Sequence, residues 1–293
     1  MKQFFVMITL LILLLIFHNA VITGTQNGLL LWYQTLIPSL LPFILVTNAL
    51  SETNAYQTVV SHFRNYNQNR IYEIMSILVG NLCGYPIGAK IINDFVKNNC
   101  LSTNRANQIL SLASQASPMF LIGFVYTHII ENKLPLSIFL ISIYLPVGVY
   151  YIFFCIITNQ QTHTSSCMPI KKLYIKDTFL HAVETMVMIG IYVIIFSILL
   201  SVLLPICDKP IFKIILSFME ITTGLKLLTS LELSEHIQIS LLCALSASGG
   251  LCSAYQVKGV LEYPKTQIKK YLLDKCILST GTFCIIYLYC SFH

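Results

Sequence analysis

Residues 71–92 read IYEIMSILVGNLCGYPIGAKII, an apolar stretch interrupted at its centre by Gly80, Asn81, Gly84, Pro86 and Gly88. Proline cannot donate to the helical ladder and clustered glycines weaken it, so one straight helix through this stretch is disfavoured. A second stretch, residues 211–228, is short and carries Glu220, Thr222, Thr223 and Gly224 near its centre. Broken backbone at membrane depth is stable only where protein packs around it or where it lines a polar cavity. Both stretches are therefore expected to dip into a bilayer and return to the face they came from.

Composition supplies the bilayer. The chain has 293 residues, 56% of them hydrophobic and 10% charged, with a mean hydropathy of +0.74. A soluble domain carries about a quarter charged residues, so a water-facing globular enzyme is excluded, and so is a disordered chain. The apolar runs are continuous, as spanning helices of about 20 residues require, and lack the short alternation of a membrane barrel. The expected class is an all-α polytopic membrane protein.

Besides the two dips, apolar segments fall at 4–17, 29–50, 109–129, 134–157, 179–204, 237–255 and 272–289. Cytoplasmic loops retain Lys and Arg, so these residues decide how the segments are threaded. If every segment crosses from a cytoplasmic N-terminus, nine fall inside and five outside. If the two interrupted segments turn back, twelve fall inside: Lys2, Arg64, Arg70, Lys97, Arg105, Lys171, Lys172, Lys176, Lys258, Lys265, Lys269 and Lys270. Only Lys133 and Lys209 then lie outside. The second threading is favoured, and the net charge of +6 is read as orientation, with no nucleic-acid partner.

The resulting topology has about seven transmembrane helices and two re-entrant segments arranged as an inverted repeat, the form in which carriers hold a site near the midplane. Residues 1–27 are expected as an N-terminal transmembrane helix with Lys2 cytoplasmic, and 28–157 as a first repeat. Residues 158–178 are expected as a cytoplasmic loop, and 179–293 as a second, inverted repeat. The protein is placed in the cell membrane with the bilayer as its first partner.

Four polar clusters interrupt the apolar background. The first is Asn81, Gly84, Tyr85, Pro86 and Gly88, where the Gly84–Gly88 spacing fits either close helix packing or an unwound turn with free carbonyls. The second centres on Gln115 and Ser117 before Pro118, which frees a carbonyl near residue 114; helix–helix hydrogen bonding and solute contact both fit. The third is Glu220, Thr222 and Thr223, and the fourth Ser246, Ser248 and Gly249. A buried carboxylate is costly unless it is paired or protonated, so Glu220 is the candidate for H⁺ or Na⁺ coupling.

Glu184, one turn after His181, is read as interfacial, and Asp274 is expected to pair with Lys270 at the interface. Lys90 is expected to snorkel, and the single Trp32 to anchor an aromatic belt. The ten cysteines include no CxxC pair, so neither a disulfide nor a metal framework is expected. No GxxxxGK[ST], HExxH or GxSxG is present, so hydrolase chemistry lacks its usual residues and no cofactor is expected.

In their order, residues 37–43 (IPSLLPF), 84–90 (GYPIGAK), 116–120 (ASPMF), 219–224 (MEITTG) and 249–253 (GGLCS) resemble the YlbJ-type sporulation integral membrane proteins, within the wider nucleoside-recognition or Gate domain group. The resemblance runs from about residue 29 to the end. It implies a membrane protein needed for making a resistant spore, with solute translocation implied by analogy. The chain departs from the group's Asn-Asn-Ala-Gly-Pro, having Ser114-Gln115-Ala116-Ser117-Pro118. Two functions are therefore expected in competition. One is a secondary transporter of a small polar solute. The other is a non-transporting component of a sporulation or spore-envelope assembly, with copies of itself or other sporulation membrane proteins as partners.

Overall fold

The structure, a computed structural model, describes residues 2–52, 55–63, 68–157, 175–206, 209–263 and 266–292. Every regular element among them is helical. Five stretches are long and apolar enough to cross a bilayer: His18–Leu50, Leu136–Ile156, Thr178–Ile206, Glu235–Val260 and Ile268–Phe292. Large apolar side chains such as Phe153 and Ile156 point outward, 61% and 76% exposed, a surface suited to lipid and not to water. The chain is thus an all-helical, multi-pass membrane protein.

The first elements are α1 (Lys2–Ile16), α2 (His18–Leu31), a π-helical stretch Trp32–Leu36, and α3 (Ile37–Glu52). Hydrogen bonds from Phe17 N to Leu13 O (3.0 Å) and from Val21 N to Phe17 O (2.9 Å) carry the helix through the bend at Phe17. α1 and α2 meet at Phe17, whose φ of −98° and ψ of +29° leave the helical region, whereas α2, the π-helical stretch and α3 form one apolar run, His18–Leu50. The polar run at 23–27, loop-like by composition, is satisfied on the helix itself, since Thr23 and Thr25 hydroxyls donate to Asn19 O (2.9 Å) and Val21 O (2.7 Å). Gly24 and Gly28 let α2 approach the backbone at Ile198 and Ile194, where added Cβ atoms would lie 2.7 and 2.8 Å from Cα.

After α4 (Ala55–His62), α5 (Gln68–Cys83) and α6 (Ile87–Lys97) form a hairpin that turns at Gly84, Tyr85 and Pro86. Arms of 16 and 11 residues reach about 24 and 16 Å, too short for a hydrocarbon core of about 30 Å. A short helical hairpin thus stands where the first dip is expected. Where the arms cross, Gly80 and Gly88 face Ala113, and a Cβ on either would fall on its carbonyl oxygen.

Next come α7 (Thr103–Ile109), an unwound stretch at 110–117, α8 (Pro118–Phe120) with a π-helical continuation Leu121–Ile130, and α9 (Leu136–Ile157). The expected segment 109–129 is thus broken. Ser117 caps the new helix by accepting from Phe120 N at 3.3 Å, and Pro118 sits in its first turn, where a missing N–H costs nothing.

The second half opens with α10 (Ile175–Leu203), followed by α11 (Pro210–Ser217) and α12 (Ile221–Thr229). The last two form a second hairpin, with arms of 8 and 9 residues, about 12 and 14 Å. Then come α13 (Glu235–Ser248), α14 (Gly250–Val260) and α15 (Ile268–Phe292). Between α13 and α14 the chain breaks at Gly249 and Gly250, whose φ angles of +75° and +73° suit residues without a Cβ.

α2 and α3 run antiparallel to α10, with Trp32 Nε1 donating to Met186 O (2.9 Å) and Asn48 Nδ2 to Thr178 O (3.5 Å). Trp32 is therefore seated over Gly190 in a helix–helix contact and is not a belt anchor. α9 and α15 are likewise antiparallel, joined by Tyr150 to Asp274 (2.8 Å) and Thr282 to Ser142 O (2.9 Å). The broken helix α13–α14 lies at the centre, 67% of its most apolar window being buried against 22–33% for the other spans.

One end of the molecule joins Lys97 to Glu262 (2.6 Å), and the other brings Lys133 to within 3.9 Å of Glu235. Between them Arg105 grips Glu73 with two bonds (2.6 and 2.7 Å), tying α7 to α5. Of the expected central loop, residues 158–174 lie outside the described residues. Cys100 is disulfide-bonded, a correction to the expectation of a chain without disulfides.

Candidate functional site

The two hairpin tips meet the two helix breaks at the centre of the molecule. Tyr85 N donates to Gln115 O (3.0 Å), and a Cβ added to Gly84 (φ +87°) would lie 3.1 Å from Ser117. In the second half, Leu251 N and Cys252 N donate to Phe218 O (2.8 Å) and Met219 O (2.9 Å). The halves touch where a Cβ on Gly249 would stand 3.0 Å from the Tyr85 ring. Each tip thus satisfies backbone groups that a helix break leaves open, which is why irregular chain is tolerated at this depth.

Glu220 is the N-cap of α12 and is 1% exposed. Its carboxylate accepts from Thr222 N (3.0 Å) and Thr223 N (2.7 Å), and from both threonine hydroxyls. Four donors and a helix N-terminus offset the cost of burying the charge. Both oxygens are engaged in holding the tip, so the geometry gives Glu220 a positioning task at the site.

Gly84, Tyr85, Ser117, Glu220 and Gly249 line one central cavity of about 30 Å³, together with Ser253. That volume holds one or two waters and no solute. Beside it opens a cleft of about 600 Å³, lined by Asn48, Pro86, Lys90, Asp94, His181 and Glu184 among others. Ile189 and Gln256 border both spaces. A volume of 600 Å³ lies within the range of small-molecule pockets. Its polar groups carry both signs. Lys90 donates to Asn48 Oδ1 (3.0 Å), where snorkelling was expected, and His181 Nδ1 stands 3.5 Å from Glu184.

Other candidates sit around this centre without lining the cavity. Thr222 and Thr223 serve Glu220, and Gly88 serves the hairpin crossing. Ser246 donates within its helix to Leu242 O (2.8 Å), and Ser248 to Leu245 O (2.9 Å) while accepting from Gly250 N (3.2 Å). Asn81 Oδ1 is buried without a hydrogen-bond partner among the described residues. The Gln115 side chain donates to Ser111 O (2.9 Å) and accepts from Lys275 (3.0 Å).

Sequence reasoning missed Lys275. It is 3% exposed inside α15, although a charge within a spanning segment is itself a functional signal. Asp274 is also buried, not interfacial: it accepts from Ser111 (3.1 Å), Tyr150 (2.8 Å) and the expected partner Lys270 (3.1 Å). Among the described residues no group of three His, Cys, Asp or Glu is arranged to hold a metal.

Compared with known proteins, the chain is 22% identical over 302 aligned positions to the "Sporulation integral membrane protein YlbJ" of Bacillus subtilis (strain 168). The match covers 87% of this chain and 74% of that protein. The chain is similar to YlbJ over most of its length. The resemblance carried by the ordered motifs is borne out by this relative, and the relative's printed name agrees with the five apolar spans in describing an integral membrane protein. No family model and no solved structure matches the chain.

Proposed function

We propose that the protein is a secondary transporter of a small polar solute, acting in spore formation as its relative's name indicates. The observation that carries this reading is the convergence of two hairpin tips and two helix breaks on one cavity, next to a cleft open at one end. The solute position is the space between the tips, collapsed here to the small central cavity, and the 600 Å³ cleft is the path to it. The cleft end bears Lys90, Lys97 and Lys258, so it is the cytoplasmic side.

An inverted repeat is part of the proposal. The tip residues Tyr85 and Met219 are 134 positions apart, and so are the break residues Gln115 and Gly249. In each half a hairpin is followed by a broken helix and then a long one, entered from opposite ends of the molecule. Besides α1, six crossings follow in this reading: α2–α3, α7–α8, α9, α10, α13–α14 and α15. Two of these are broken, and two re-entrant hairpins accompany them.

Reconstituted uptake tests the reading. Proteoliposomes are expected to take up at least one member of a radiolabelled panel of nucleosides, amino acids and small carboxylates faster than empty liposomes. Ile189→Trp, which fills the passage between cleft and cavity, is expected to abolish that uptake. A folded, reconstituted protein that moves none of the panel, and that co-purifies instead with other sporulation membrane proteins, would favour the assembly component.

A further inference from the structure

Lys275 stands between the two broken helices. Its Nζ donates to Gln115 Oε1 (3.0 Å) in the unwound stretch of the first half and to Ala247 O (3.3 Å) in the second. The Tyr271 ring lies 5.9 Å away. No carboxylate among the described residues pairs with it, because the adjacent Asp274 faces Ser111, Tyr150 and Lys270.

Ala247 is one residue from the end of α13, so the ammonium meets the carbonyl end of a helix that stops inside the protein. That end carries roughly half a negative charge. In carriers with broken helices, such ends and unwound carbonyls ligate the coupling cation. The two acceptors of Lys275 are neutral oxygens of the kind that bind sodium. Gln115 also accepts the backbone N–H of Tyr85, so the ammonium is one residue removed from the hairpin tip.

We propose that Lys275 is a tethered cation occupying the monovalent-cation position between the two breaks, so that the protein moves its solute without sodium. This rests on the transporter reading. A free ion binds and leaves with each cycle, whereas an ammonium on α15 stays. Solute movement is then independent of sodium.

The test needs no solute. The purified full-length protein in detergent is melted in sodium chloride and in choline chloride, whose cation is too large for the position. For the wild type the two midpoints are expected to agree within about 1 °C. Lys275→Ala is expected to melt at least about 5 °C lower in choline, and sodium at on the order of 10–100 mM to restore a saturable part of that loss. Saturable sodium stabilisation of the wild type would overturn the proposal, as would a variant indifferent to sodium. If Lys275→Ala does not fold, Lys275→Gln is read in the same way, and the wild-type titration decides alone. Uptake by wild-type proteoliposomes in choline medium completes the test. Absence of uptake in both salts counts against the transporter reading, whereas uptake in sodium alone counts against the tethered cation.

Discussion

Substituting Gly88 by Ala tests the first hairpin at its tightest point. The new Cβ would fall on Ala113 O, 2.8 Å from Ala113 C and 3.0 Å from Gly80 Cα. All three atoms are backbone, held between a helix crossing and an unwound stretch, so no side chain can swing aside. Overpacking of one methyl group costs about 1–3 kcal/mol when neighbours yield, and this site belongs at or above the upper end. For a chain of this size each kcal/mol moves the melting midpoint by about 2–4 °C, so a loss of about 6–12 °C is expected. Gly148→Ala is the control, because nothing lies within 4 Å of its added Cβ. On a helix that change is neutral or stabilising by up to about 1 kcal/mol. Thermal unfolding of the two variants in the same detergent decides. Equal midpoints would mean that α5 and α6 do not cross at Gly80 and Gly88, and the hairpin geometry would be refuted.

Single contacts supply three further expected outcomes. Glu73→Gln removes the carboxylate that takes two bonds from the half-buried Arg105 and is expected to cost about 3–5 kcal/mol in chemical denaturation. Glu220→Ala takes away four hydrogen bonds at the second tip and should lower stability by about 2 kcal/mol or more, with faster proteolysis between Lys209 and Ser230 as a local readout. Lys133→Ala breaks a 3.9 Å pair between exposed side chains, and its midpoint should agree with wild type within about 0.5 kcal/mol.

The hairpins were legible because two independent signals coincide in them. Gly84 and Pro86 disfavour a straight helix, and the Lys and Arg distribution places both ends of the segment on one face. Convergence of Gly84, Tyr85, Ser117, Glu220 and Gly249 on one cavity is a consequence of the same topology. Continuity of residues 17–29 was hidden because Thr23, Thr25, Gln26 and Asn27 look like a loop by polarity. On the helix, the threonine hydroxyls find carbonyls four residues back, and the glycines supply a packing face. The role of Glu220 was legible only in part: the sequence shows a buried acid beside two threonines, and local backbone geometry decides that it caps. Lys275 was hidden because one Lys within an apolar run adds nothing to loop counting. Its partners come from residues 160 and 28 positions away, which no local pattern reveals.

Site-directed labelling tests the central claim most directly. Single cysteines are placed at Gln68, Lys97, Lys209 and Ser230, after replacement of the native thiols, and exposed to a membrane-impermeant maleimide in intact cells and in inverted vesicles. The account predicts that positions 68 and 97 label only in inverted vesicles, and positions 209 and 230 only in intact cells. Labelling of 68 and 97 from opposite faces, or of 209 and 230 from opposite faces, would contradict it.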